Sequence, residues 1–227
     1  MNQSEPDERP YYIVPPCQEP VTTLFQDDAI LIVEKPAFLL SVPGRGPENA
    51  DSVFSRLQAQ YGDVYLLHRL DLDTSGLMVF ARTRLAQKRI ARSFQMRAVD
   101  KRYIAVVEGL MATPDGSIDL PIAPDWQHRP RQKICHTSGK SALTHWRLLN
   151  EDWATQQSRL ELHPVTGRSH QLRIHLKESG HPILGCDLYA PPEVLAKSER
   201  LLLHAQSLAF HHPVTDEWLT FTSPAPF

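Results

Sequence analysis

An α+β fold, with a mixed but mostly antiparallel sheet and flanking helices, is predicted for this sequence by two observations. Strand-sized apolar runs outnumber helical stretches, and proline- and glycine-bearing turns separate them. With 227 residues, 41% of them apolar, the chain can bury a substantial core. We expect a single domain that acts as a monomer.

Taken in order, residues 1–20 hold Pro6, Pro10, Pro15, Pro16 and Pro20. Each proline fixes its backbone torsion and removes a donor, so this stretch reads as an extended arm. Thr22 to Pro36 reads as a hairpin, turning at Gln26-Asp27-Asp28 into the β-rich run Ile30 to Glu34. Ser41 to Pro47 is a loop by its proline and glycine content. Asp51 or Ser52 can cap a helix running to Tyr61, with Val53 and Leu57 on its inner face and Gly62 ending it. Val64 to Leu67 and Leu77 to Phe80 read as strands flanking a polar loop. Thr83 is a plausible cap for a helix over Arg84 to Ala98, with Leu85, Ile90 and Phe94 on its apolar face. Further strands are expected at Tyr103 to Val107, Leu143 to Leu149, Arg159 to His163, Leu201 to Phe210 and Glu217 to Phe221, and a helix over Gly167 to Glu178.

The longest apolar runs fall far short of the roughly 20 residues of a membrane span. The acidic N terminus lacks the order of an export signal, so a cytoplasmic location is expected. Cys17, Cys135 and Cys186 are widely spaced and read as free thiols. A net charge of -2 conceals an uneven distribution. Arg82 to Arg102 carries eight cations against one anion, whereas residues 1–34 carry seven anions against Arg9 alone. A second segment, Trp126 to Lys140, holds Arg129, Arg131, Lys133 and Lys140 with no acid. A charge run is ordinarily a solvated face; here the missing acids make Arg84, Lys88, Arg92, Arg129, Arg131 and Lys133 candidates for phosphate contacts.

The polar loop His68-Arg69-Leu70-Asp71-Leu72-Asp73-Thr74-Ser75-Gly76 is the densest chemical feature. A lone Asp in such a loop most often caps its own turn. The spacing His-Arg-Leu-Asp before Thr-Ser-Gly nevertheless resembles the central motif of the RluA-type RNA pseudouridine synthases. The resemblance continues through Val33-x-Lys35-Pro36, Leu40 to Arg45, Lys101-Arg102-Tyr103, Asp125-Trp126 to Lys133, Gly167-Arg168-x-His170-Gln171-Leu172-Arg173-x-His175, His181 to Gly185 and Leu203-His204-Ala205. It thus spans nearly the whole chain after residue 20. It implies one catalytic domain over residues 21–227, with no separate N-terminal RNA-binding domain.

The resemblance also implies the chemistry. Uridine becomes pseudouridine when the bond from ribose to uracil nitrogen is broken, the base is turned, and it is rejoined through carbon. No oxidation occurs, and neither cofactor nor metal is called for. Asp71 would be the essential carboxylate, acting as a nucleophile on ribose or uracil or as a base toward the ribose. Arg173 would be its partner, a guanidinium that keeps it ionised in a dry pocket. Tyr103 would stack on the uracil and help remove the carbon-bound proton. Arg69 would fill the gap left when the target base is flipped out, or form an ion pair. His68, Thr74, Arg168, His170 and Gln171 would complete the substrate site. Similarity to the RluA branch implies stem-loop targets in tRNA, at position 32 of the anticodon arm, and in 23S ribosomal RNA, at position 746.

Two other readings fit parts of the sequence. Asp71-Leu72-Asp73 brushes the two-aspartate signature of magnesium-dependent phosphatases, although the strongly apolar strand that should precede it is interrupted by His68-Arg69. A non-catalytic RNA-binding module would explain the cations without turnover. The histidines, including His163, His170, His175 and His181, match no metal-ligand spacing.

Overall fold

The computed structural model describes residues 12–227. Its chain order is β1 (Thr22–Gln26), β2 (Ile30–Lys35), α1 (Val53–Tyr61), β3 (Tyr65–Leu66), β4 (Ser75–Ala81), α2 (Arg84–Gln95), β5 (Asp100–Glu108), β6 (Asp115–Asp119), β7 (Ile122–Pro124), β8 (Gln132–Ile134), β9 (Leu143–Asp152), β10 (Gln157–Pro164), α3 (Gln171–Glu178), α4 (Pro192–Leu195), β11 (Leu203–His211) and β12 (Trp218–Thr222). Ten strands form one sheet along the path β1-β2-β4-β11-β5-β10-β9-β6, with β3 paired to β4 and β12 to β11, while β7 and β8 make a separate hairpin. All pairings are antiparallel except β4 with β11. The α+β expectation is therefore met.

That one parallel contact decides where the polar loop emerges. β11 meets β4 only at His204↔Ser75 and Ala205↔Gly76, after which β12 takes over against Ser207 to His211. Gly76 has φ 115°, and a Cβ there would lie 2.4 Å from the carbonyl oxygen of Ala205. The glycine of the Thr-Ser-Gly motif is what allows the two backbones to approach so closely.

The continuous apolar runs of β2 and β4 are explained by burial on both faces. Ile30, Ile32, Leu77 and Val79 face a layer that includes Ala86 and Ile90 of α2, whereas Leu31, Val33, Met78 and Phe80 face Val53 and Leu57 of α1. A third cluster joins Ala105, Val107, Leu160 and Leu162 of the central strands to Leu172 and Leu176 of α3. Ser52 caps α1 through the amide of Ser55, and Thr83 caps α2 through that of Ala86.

Some expectations need correction. α2 ends at Gln95, short of Ala98, and Arg97 turns into a left-handed conformation. Leu85 is 54% exposed. A start at Arg84 puts Ala86, Ile90 and Phe94, four apart, on the inner stripe and swings Leu85 outward. α3 begins at Gln171, so Gly167 to His170 form an approach loop. The sequence reading missed β6, β7, β8 and α4, which are short.

Of the expected arm, residues 1–11 lie outside the described ones. Residues 12–20 form no helix or strand and lie along the domain. Arg56 donates to the carbonyls of Cys17 and Glu19, both at 2.6 Å, and Asn49 bonds Tyr12 and Val14.

Candidate active site

The polar loop leaves the β3 end and enters β4 pinned from three directions. Leu70 N donates to Ser41 Oγ (3.0 Å), and that hydroxyl donates to the Leu70 carbonyl (2.7 Å). Thr74 N closes the turn on the Asp71 carbonyl at 3.2 Å. From beneath, Lys35 Nζ donates to the carbonyls of Leu72 (2.8 Å) and Pro36 (2.9 Å). Lys35 is fully buried. Burial pushes its ammonium down to about 7, against the opposing pull of Asp73 and Asp71. Asp71 and Asp73 therefore stand on either side of a carbonyl anchored by a buried lysine.

A cleft of about 730 Å³ opens above the loop. It is lined by His68 to Leu72 and Thr74, by Phe94, Gln95 and Arg97, by Lys101 and Tyr103, and by Pro164 to Arg173. The two longest motifs, about a hundred residues apart in sequence, thus line one cavity.

Arg173 carries the electrostatics. Its side chain is 2% exposed, with Nη1 3.8 Å from Asp71 and 3.5 Å from Asp73, and Nη2 2.5 Å from Asp187. Nε donates to the buried Cys186 sulfur at 3.3 Å. One guanidinium is thus shared among three carboxylates, a geometry its rigid fork allows and a lysine could not reproduce. Burial raises the Asp73 pKa, with Arg173 opposing and Asp187 and Asp71 adding to the rise.

His170 Nε2 stands 4.0 Å from Asp71 Oδ1. His170 occupies the left-handed region, at φ 55° and ψ 18°, where a non-glycine residue costs about 1–2 kcal/mol. Tyr103, on β5 opposite Ala205 and Leu162, packs into both neighbouring core clusters. Burial, and then the charge of Asp71, push its phenol well above the ordinary range, so it stands protonated. His68 Nε2 accepts the amide of Val79 at 3.1 Å while its ring stacks on Phe94. Burial, with Lys101 nearby, lowers its pKa to about 4, leaving it neutral. Arg69 is exposed, lines the cleft and has no ion pair among the described residues.

Gln171 lines the cleft, and its side-chain amide is held within the protein. Its Oε1 accepts from Thr166 (2.7 Å) and the Arg168 amide (3.0 Å), and its Nε2 donates to the Leu143 carbonyl and Thr144, both at 3.0 Å. Its hydrogen-bonding capacity is engaged within the protein, which makes it the brace of the loop before α3. Thr74 is buried and Arg168 reaches the Ser141 carbonyl at 3.1 Å. His175 lies between Thr144 and the Leu120 carbonyl as a satisfied core histidine.

The cations do not form one stripe. Arg84, Lys88 and Arg92 are exposed along α2, Arg97 and Lys101 line the cleft, and Arg102 pairs with Asp100 and Glu161. Arg129, Arg131 and Lys133 are exposed on the β7–β8 hairpin, where Arg129 lies 3.9 Å over the exposed Trp126 ring. The residues that sequence reasoning missed are Ser41, Asp187 and Tyr189. Lys35 carried a signal in retrospect, a lysine closing a fully buried apolar run.

A loop carboxylate, a buried arginine and a tyrosine on the sheet thus meet at one cleft. The comparisons supply the class of protein. Residues 29–178 match the model of the RNA pseudouridylate synthase family, and the chain belongs to that family, in its RluA-type branch. It is 46% identical to the dual-specificity RNA pseudouridine synthase RluA of Pasteurella multocida over 213 residues, 94% of this chain and 97% of that protein. To RluA of Yersinia pestis it is 47% identical over 204 residues, covering 90% and 98%. The solved structure of human RNA pseudouridylate synthase domain containing 1 superposes with a TM-score of 0.79 at 26% identity, over 94% of this chain and 86% of that one.

Proposed function

We propose that this RNA pseudouridine synthase acts through Asp71, with Arg173 as its charge partner and Tyr103 as the surface on which the flipped uracil stacks. The observation that carries the reading is the convergence of Asp71 and Arg173, 3.8 Å apart in a cleft large enough for a nucleotide. Arg173 favours the ionised carboxylate that cleavage of the glycosidic bond requires. Tyr103, protonated and lining the cleft, orients the detached base for rejoining through carbon and lies near Asp71 when the carbon-bound proton leaves. Arg69 fills the vacated place in the RNA stack, and His68, held by the Val79 amide and the Phe94 ring, completes the substrate site beside it. Arg84, Lys88, Arg92, Arg129, Arg131 and Lys133 grip phosphates on either side.

The substrates proposed are structured stem-loops in both tRNA and 23S ribosomal RNA, at positions 32 and 746. The support is similarity at 46–47% to relatives named as dual-specificity enzymes. We propose residues 21–227 as the catalytic unit and the chain as a cytoplasmic monomer that uses no cofactor. Tritium release from uracil-5-tritiated transcripts of each stem-loop, with chelator present, tests the reading. Wild type should release tritium and Asp71→Ala should not. Silence on both stem-loops and on total cellular RNA would replace the synthase by a binding module.

A further inference from the structure

Tyr189 follows Asp187 on the segment between α3 and α4 and stands behind the cleft wall. Its hydroxyl has two partners: the backbone amide of Gln132 on β8, at 2.8 Å, and Nδ1 of His170, also at 2.8 Å. The amide can only donate, so the phenol oxygen accepts there and has one proton to give. Nδ1 of His170 is the remaining acceptor. The ring is fixed by an edge-on contact with His170, by the Arg173 guanidinium 5.6 Å from its centroid and by packing on Ile122, Ala142 and Ile174.

We propose that Tyr189 is a positioning residue that fixes His170 as the neutral imidazole protonated on Nε2, so that His170 presents a hydrogen-bond donor to the cleft beside Asp71. This rests on the reading of Asp71 as the catalytic carboxylate. Nε2 is 4.0 Å from Asp71 Oδ1, beyond direct hydrogen-bond reach. The donor is therefore available to an oxygen of a bound nucleotide that approaches the pair from the cleft. His170 cannot then serve as a proton acceptor on that side, which leaves Asp71 as the basic group at that edge of the cleft. Burial pushes the Tyr189 phenol up to about 12 and the His170 imidazole down, as a neutral donor and a neutral acceptor require. Because the other partner of Tyr189 is the backbone just after Arg131, the same hydroxyl also ties the exposed hairpin to the cleft wall.

The test is a long-range proton–nitrogen correlation spectrum of the full chain labelled with ¹⁵N-histidine, with a His170→Gln variant to assign the ring. At pH 7 His170 should show a protonated Nε2 and an unprotonated, hydrogen-bonded Nδ1. In Tyr189→Phe the pattern should become tautomer-averaged, and the ring should titrate closer to the ordinary histidine value. On a stem-loop that the wild type modifies, kcat should fall about tenfold with KM changed less than twofold. A wild-type His170 protonated on Nδ1, or charged at pH 7, would overturn the proposal even if Tyr189→Phe failed to fold. So would a Tyr189→Phe protein with an unaltered tautomer. The predicted tautomer in a protein that modifies no RNA would uphold the geometry and sink the synthase assignment instead.

Discussion

In the cleft, Arg173 is 2% exposed and lies within 4 Å of Asp71, Asp73 and Asp187. On α2 and the β7–β8 hairpin, Arg84, Lys88, Arg92, Arg129, Arg131 and Lys133 are exposed and pair with no carboxylate among the described residues. The two regions use cations differently because their solvents differ. In the interior, a charge without a partner costs several kcal/mol, so each position is fixed by its neighbours and small displacements matter. At the surface, water screens each charge, individual positions contribute little, and the value of the patch is its sum over many phosphates. Catalysis should therefore depend steeply on single residues in the first region, and affinity gradually on the number of residues in the second.

The largest expected effect is on Asp71. Asp71→Asn should lower turnover at least about a thousandfold, measured by tritium release, while RNA affinity in a filter-binding assay changes less than about threefold. Equal losses of both would break the division. Next comes Arg173→Met, which leaves Asp71 and Asp73 without their counterion. Its thermal unfolding should show a loss of about 3 kcal/mol, and adding Asp73→Asn should recover part of it; strict additivity of the pair would remove the coupling.

A pH effect should follow from His68. Its folded pKa of about 4 lies below the ordinary 6.5 of the unfolded chain. Between those values the unfolded state binds a proton that the folded state refuses, so stability falls as pH drops from 6.5 to 4. Chemical denaturation across that range should have a shallower pH slope in His68→Gln than in wild type. The smallest effects belong to the periphery. Lys88→Gln and Arg92→Gln should each reduce the slope of log affinity against log salt by about 1, with unfolding free energy unchanged within about 0.5 kcal/mol. A change in turnover at saturating RNA would show that these residues reach into the cleft.

Much of this was legible in the sequence, for local reasons. Thr83 and Ser52 announce helix starts because capping is a contact within three residues, and Ile30 to Val33 announce a buried strand because burial on both faces selects an unbroken apolar run. The Asp71 loop and the Gly167 to His175 stretch were visible as motifs, and the resemblance placed them in one site. Other features had no local signal. Nothing in the local sequence shows that Thr166, Leu143 and Arg168 surround the amide of Gln171. β7 and β8 escaped notice because three residues show no period.

By itself the sequence determined the fold class, through short-range periodicity and turn composition, and the family, through contiguous motifs that resemble it. Only the tertiary structure decided that Lys35 lies beneath the loop, that Asp187 shares Arg173 and that Tyr189 bonds His170. These are contacts between groups 14 to 37 residues apart in the chain, fixed by side-chain directions that no local pattern encodes. The close parallel approach of β4 to β11 at Gly76 brings the loop to the cleft, and a contact of that kind exists only once the whole sheet has closed around it.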